Sequence, residues 1–184
     1  MRVAVDLDGV CYEWQRTYRY MMRVYRGVEL PEVEDFWFTW NAPDKYTTAA
    51  DRKWMWKEGV KEGLFRYGHM WQGCRIGLQA LHKAGHKLSV VTHRPENAVN
   101  DTLDWIALYF KNIPLSGVSI LSGGEPKTDV DWDLLIDDKP ENIMDALKAN
   151  RLGLLFDQPW NQDYDAPARV FGWDGVKSSL IGGS

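Results

Sequence analysis

The spacing of apolar and polar positions changes period several times along the chain. Val3-Ala4-Val5 is a short unbroken apolar run that ends abruptly in Asp6-Leu7-Asp8-Gly9. A run of that length, apolar on both faces, predicts a buried strand of a parallel sheet. Over residues 14–26 the period becomes helical. Trp14, Tyr18, Met21, Met22 and Tyr25 recur at steps of three and four with basic residues between them, and Gly27 is a fitting stop. Residues 31–46 keep no period. They hold Pro31, Asn41 and Pro43 beside Phe36, Trp37, Phe38, Trp40 and Tyr46, which predicts a turn-rich segment with aromatic anchors. Residues 48–62 are helical again, with Thr48 as cap, Asp51 three residues later, and Trp54, Met55 and Val60 apolar.

From Trp71 onward strand and helix patterns alternate. Residues 71–84 predict a helix with Ile76, Leu78 and Leu81 inward and Gly85 just past its end. Strands follow at 87–92, 118–121, 134–138 and 152–156, with a short sixth at 169–171. Helices fall between them at 97–111, with Leu103, Ile106, Ala107 and Phe110 as the buried stripe, and at 141–150, opened by Pro140. This rhythm predicts an α/β fold: a Rossmann-like parallel sheet flanked by helices. Residues 11–70, between the first strand and the next α/β pattern, are too many for a simple strand–helix loop. They are expected to form a small helical, aromatic-rich cap, leaving 1–10 and 71–184 as the core domain, with its last residues frayed.

Composition narrows the class. At 184 residues the chain fits one domain with an insertion, and 45% hydrophobic residues are enough for a core. A net charge of -4 provides no basic field for long nucleic acid or an anionic membrane. Cys11 and Cys74 make neither metal spacing nor a disulfide framework, which suits a reducing compartment. No apolar run reaches the ~18 residues of a membrane span, and the chain opens on a strand pattern rather than a leader. A cytoplasmic enzyme is the expectation.

The candidate chemistry lies at strand ends. The first strand ends in Asp6 and Asp8, the second in Thr92-His93-Arg94, and the fourth in Asp137-Asp138; Lys127 follows the third. Open α/β sheets bind ligands at these ends. Two acids side by side repel unless a cation neutralises them. Oxygen ligands from two loops suit Mg²⁺, and a hydroxyl and a lysine beside them suit a phosphate. A carboxylate next to both can attack phosphorus. Singly, each residue has a plainer reading. Thr92 is a strand-end hydroxyl, Lys127 a solvated charge, Asp138 a helix cap, and His93 and Arg94 a solvated loop.

Taken together, Asp6-Leu7-Asp8-Gly9-Val10, Thr92, Lys127 and Asp137-Asp138 resemble the four motifs of the haloacid dehalogenase-like (HAD) hydrolases, in order and over the whole chain. The stretches Ile120-Leu121-Ser122, Asp131-Trp132-Asp133 through Asp138, and Leu155-Phe156-Asp157-Gln158-Pro159-Trp160-Asn161 are similar to the 5′(3′)-deoxyribonucleotidases. The resemblance implies a Mg²⁺-dependent phosphomonoesterase acting on (deoxy)ribonucleoside monophosphates through an aspartyl-phosphate. Asp6 is then nucleophile and metal ligand. Asp8 is the acid–base group and binds metal through its carbonyl. Thr92 and Lys127 hold the phosphoryl group, and Asp137 and Asp138 complete the metal site. His93 and Arg94 are expected at the substrate. Trp105, Trp132 and Trp173 read as packing. Residues 11–70 hold more rings than so small an insertion can hide, and Trp40 is taken as one that stacks on a base. A phosphatase for a sugar phosphate and a non-catalytic nucleotide-binding module are the alternatives. The oligomeric state, a homodimer being one option, is left open.

Overall fold

In the computed structural model, residues 1–36, 39 and 41–182 are described. Six strands form one all-parallel sheet in the spatial order β3 (Leu115–Leu121), β2 (Lys87–His93), β1 (Arg2–Val5), β4 (Leu134–Asp137), β5 (Leu152–Phe156) and β6 (Arg169–Val170). The first strand is therefore central. Val5 lies opposite Val90 on one side and Ile136 on the other, and Asp6 N–H donates to the Ile136 carbonyl at 2.9 Å. The chain builds outward from β1 to β3, then crosses back to start β4 on β1's other flank. This is the switch point at which a doubly wound sheet opens a crevice at its carboxyl edge.

The alternation of strand side chains sorts the core. Val3, Val5, Leu88, Val90, Leu134 and Ile136 face one layer, with Leu78 and Leu81 of α4 (Cys74–Lys83), Trp105 and Ile106 of α5 (Val99–Tyr109), and Trp173 and Val176 of α7 (Gly172–Ile181). Ala4, Val91 and Leu135 face the other, against Ala146 of α6 (Pro140–Lys148) and Trp132 from the turn before β4. Each buried Leu, Ile or Val contributes roughly 1.5–3 kcal/mol. Gly77 has a packing role: a Cβ there would sit 2.4 Å from the Trp173 ring.

That contact explains one departure from the sequence pattern. Helix α4 turns Cys74, Gly77, Leu78 and Leu81 inward and leaves Ile76 65% exposed, because the ring of Trp173 fills the space above a glycine. In α5 the buried face is Thr102, Trp105, Ile106 and Phe110, so Leu103 (44% exposed) and Ala107 lie outside it. Helix α7 had no counterpart in the expected pattern. The expected fraying at 183–184 falls outside the described residues.

Between β1 and α4 the described chain is helical. α1 (Trp14–Met21) runs into a π-helical turn, Met22–Arg26, and stops at Gly27 with φ 66°. A short α2 (Val33–Phe36) follows. α3 (Ala49–Trp54) begins at a capping box in which Thr48 and Asp51 bond reciprocally, and passes into a second π-helical turn, Met55–Gly59. Tyr18, Met21, Met22, Leu30, Val33, Met55, Val60, Leu64 and Phe65 bury one another here, joined by Ala98 and Trp160 from beside the sheet. The outgoing and returning connections run side by side. Tyr12 Oη donates to the Leu64 carbonyl and accepts from Gly68 N–H, while Glu13 N–H donates to His69 and Trp71 N–H to Cys11. Among the described residues, no helix is long and apolar enough to cross a membrane.

Candidate active site

The site begins where β1 stops. Its last apolar residue is followed by Asp6, Leu7 packs into the core, and Asp8 comes out on the same side as Asp6. Gly9 then turns the chain at φ +75°. A Cβ at this position would lie 2.1 Å from Asp138 Oδ2 and 3.1 Å from the Trp160 ring, so only glycine lets the two acidic loops meet.

Asp6 and Lys127 form a buried ion pair at 2.8 Å, and the same ammonium donates to Asp137 Oδ2 at 2.7 Å. Asp137 is fully buried and also accepts from Asn142 Nδ2 (2.9 Å) and Lys139 N–H (2.8 Å). Burial raises its pKa, and the lysine beside it works in the opposite direction. For Lys127 burial favours the neutral amine, but Asp137 and Asp6 together outweigh it and its pKa is raised. Trp132 Nε1 donates to the Lys127 carbonyl at 2.9 Å, fixing the turn that delivers the ammonium. Asp138 accepts from Trp160 Nε1 at 2.8 Å, and its carbonyl accepts from Asn161 Nδ2. Burial, with Asp137 and Asp6 close by, holds the Asp138 pKa well above the usual carboxylate range.

Asp8 has a different environment. Its side chain keeps 28% of its surface, and among the described residues its carboxylate is held by Arg94 Nη2 at 2.6 Å. Desolvation pushes the Asp8 carboxyl up to about 7. Arg94 pulls it down and Asp6 pushes it up again.

A cavity of about 470 Å³ opens over these groups, lined by Asp6, Asp8, His93, Lys127, Asp138 and Asn142 among others. Its far wall is the loop after β3, where Glu125 closes a turn onto Ser122 N–H and its carbonyl accepts from His93 Nε2 at 2.7 Å. Thr92 is fully buried at the end of β2, and its hydroxyl has no hydrogen-bond partner among the described residues. Arg94 departs from expectation. Its side chain is 1% exposed and, like that of Thr92, lies behind the cavity wall, so among the described residues it meets the site through Asp8. Trp40, like Trp37 and Phe38, lies outside the described residues.

The donor set fits a divalent cation. Asp6, Asp137 and Asp138 bring carboxylate oxygens within 4.8 Å of one another. Lys127 is the one ammonium shared by Asp6 and Asp137, and Asp138 stands beside them without an ion pair among the described residues. Hard oxygens in excess of the cation they share match a divalent metal.

The model of the family described as 5′ nucleotidase, deoxy (Pyrimidine), cytosolic type C protein matches residues 1–182. The chain belongs to this family. It is a HAD-type phosphatase, a phosphoric monoester hydrolase. Among curated proteins it is similar to the 5′(3′)-deoxyribonucleotidases of Bacillus subtilis (strain 168) and of Bacillus phage SPbeta. Each is 24% identical over 181 residues, covering 97% of this chain and 98% of the relative. In fold it is similar to a putative phosphoglycolate phosphatase from Lactobacillus delbrueckii (TM-score 0.67, 14% identity, 99% and 98% of the two chains). A putative phosphatase from Clostridium difficile gives a TM-score of 0.64 at 16% identity, covering 97% of each chain. HAD-type enzymes of this family use a metal, for which the buried aspartates are the fitting ligands.

Beyond the motifs, the site depends on side chains whose role their residue type conceals. Trp132 reads as packing and Trp160 carries no assigned role, yet each spends its indole N–H on a site residue. Gln158 and Asn161 tie Gly9 and Asp138 together across the sheet end. The family resemblance runs through these residues without giving them a role, and position supplies one: the segment 158–161 follows a buried strand, where polar residues gather at a crevice.

Proposed function

We propose that this protein is a Mg²⁺-dependent phosphomonoesterase that hydrolyses (deoxy)ribonucleoside monophosphates through an aspartyl-phosphate on Asp6. The observation that carries the reading is the division of labour between two acids one residue apart. Asp6 shares a buried ammonium with Asp137, whereas Asp8 stands apart on Arg94 with its carboxyl raised to about 7.

In this reading the Asp6 carboxylate attacks phosphorus and the leaving alkoxide takes a proton from Asp8. Asp8, now ionised, removes a proton from water as that water attacks the acyl phosphate, and inorganic phosphate and free Asp6 return. A carboxyl poised near neutral pH suits both transfers. Lys127 screens the repulsion between the incoming phosphate and Asp6. Thr92, with its otherwise unused hydroxyl, donates to a phosphoryl oxygen. Asp6, Asp137, Asp138 and the Asp8 carbonyl would hold Mg²⁺, which supplies charge neutralisation and alignment when bound. His93, at the cavity wall, is assigned to the substrate. Residues 11–70 are the cap that recognises the leaving group, over a core of 1–10 and 71–184.

The family match and the deoxyribonucleotidase relatives support the nucleotide class. The test is a kinetic screen of monophosphates with Mg²⁺. Nucleotides are expected to be preferred over sugar phosphates by at least about tenfold in kcat/KM, with activity lost in EDTA and restored by Mg²⁺. Equal rates on sugar phosphates would remove the nucleotide assignment, and full activity in EDTA would remove the metal. A hydroxylamine-sensitive acyl phosphate trapped on Asp6 is expected; its absence under single-turnover quench would refute the intermediate.

A further inference from the structure

The Arg94 guanidinium is enclosed on every side that the structure describes. One edge meets Asp8 at 2.6 Å. Its carbon lies 4.1 Å from the centre of the Phe65 ring and 4.9 Å from that of Tyr12. Nε and Nη1 are buried without a hydrogen-bond acceptor among the described residues. A buried guanidinium with idle N–H groups is a costly way to fill space. Aromatic faces offset part of that cost, since a planar cation stacks on rings where an ammonium cannot.

The two rings do not come from one place. Tyr12 belongs to the connection leaving β1 for the helical insertion, and Phe65 to the connection returning from it. Tyr12 Oη is itself tied to Leu64 and Gly68 on the returning side. Arg94 follows β2 and is anchored by its own N–H on the Leu121 carbonyl of β3. One side chain thus spans the sheet edge, both connections of the insertion, and the carboxylate that stands apart from Lys127.

We infer that Arg94 is a positioning residue: it sets the Asp8 carboxylate for proton transfer and ties that setting to the connections of the helical insertion. The inference rests on the assignment of Asp8 as the acid–base group. Among the described residues, the half-open Asp8 side chain has Arg94 as its side-chain anchor, and the orientation of that anchor depends on where Tyr12 and Phe65 lie.

The test compares leaving groups. p-Nitrophenolate departs without a proton, whereas a nucleoside alkoxide needs one. Single-turnover phosphoryl transfer is measured for Arg94→Met, Arg94→Lys and Phe65→Leu, with Asp8→Asn as reference. Transfer from a nucleoside monophosphate is expected to fall on the order of 10²-fold in Arg94→Met, and about tenfold in Arg94→Lys, which keeps the charge but loses the stack. The burst of p-nitrophenolate should stay within about threefold of the parent protein, as a group needed only for proton donation leaves that step untouched. Equal losses on both substrates would mean that Arg94 only supports the fold, and would overturn the inference. Phe65→Leu should show the same selectivity, weakened; a parent-like ratio there would break the link to the insertion. Should Arg94→Met fail to fold, Arg94→Lys and Phe65→Leu still decide. If Asp8→Asn itself shows no leaving-group selectivity, the assignment of Asp8 fails, and that outcome is read independently of Arg94.

Discussion

The strand-end site and the helical insertion beside it are held by different forces. At the site the decisive contacts are buried, short and polar. Lys127 serves two carboxylates, Asp137 takes three donors, and two indole N–H groups lock the neighbouring turns. In the insertion the polar contacts lie mostly near the surface, as in Arg19–Glu32, Arg52–Asp44 and Lys61–Glu58. Its interior mixes Leu30, Val33, Val60 and Leu64 with Met21, Met22, Met55 and the rings of Tyr18 and Phe65, and at its edge Trp14 stacks on a half-exposed Trp56 at 5.8 Å. Surface ion pairs contribute little each, and methionine adapts to its surroundings. A buried polar network admits one arrangement, because every unmet partner costs about 1–3 kcal/mol. The strand ends are thus held in one fixed geometry, and the helical insertion by packing that can adapt.

The largest effect that tests this contrast is Asp6→Asn. Turnover should fall by roughly 10⁵-fold or more, the scale of loss when a nucleophile is removed, while circular dichroism shows the fold retained. Retained phosphatase activity would remove the site from its proposed role. Next is Gly9→Ala, which drives a methyl into Asp138 and strains a positive φ. A loss on the order of 2–3 kcal/mol is expected, read as a fall in melting temperature of about 5–10 °C. An unshifted melt would show that the acidic loops are as adaptable as the insertion. Thr48→Ala removes the cap of α3 together with the hydroxyl's bond to Asp51, for about 1 kcal/mol. Its melting shift should be small and its kcat/KM within about twofold of the parent.

The smallest effect is one of pH. Hydrogen bonds from Thr48, then the Arg26 pair, hold the Asp51 carboxyl down at about 2. Its folded value lies below its unfolded one, so the stabilisation is complete above about pH 4 and is lost as pH falls towards about 2. Asp51→Asn should flatten that part of the stability–pH curve. A curve unchanged by the substitution would place the acid sensitivity elsewhere.

Much of the fold was legible because strand ends announce themselves. An apolar run broken by Asp6 and Asp8, or by Asp137 and Asp138, fits little in an α/β chain except a strand running into a crevice, and the order of the motifs gave the sheet its direction. Helix faces were less legible. Ile76 and Leu103 are apolar but lie off the buried stripe, which glycine and threonine complete at Gly77 and Thr102. What an inward position needs is set by the opposing ring, and sequence spacing does not carry the opposing ring's size. Arg94 shows the same limit in the site. Its neighbours Thr92 and His93 mark it as a ligand contact, yet the partners that enclose it, Tyr12 and Phe65, are 82 and 29 residues away in the chain. Trp132 hid its role because an indole is read for its bulk before its N–H.

The central place of β1 also has a consequence for how the molecule is made. Val3 must wait for Leu88 to gain its first neighbour and for Leu134, 131 residues onward, to gain its second. At a synthesis rate of about 5–20 residues per second, that wait is on the order of ten seconds. Through it the central strand, and the two aspartates that follow it, stay unsheltered on the ribosome. Only the late pairing with β4 brings Asp6 beside Asp137, so a product truncated before β4 has every early motif but no site.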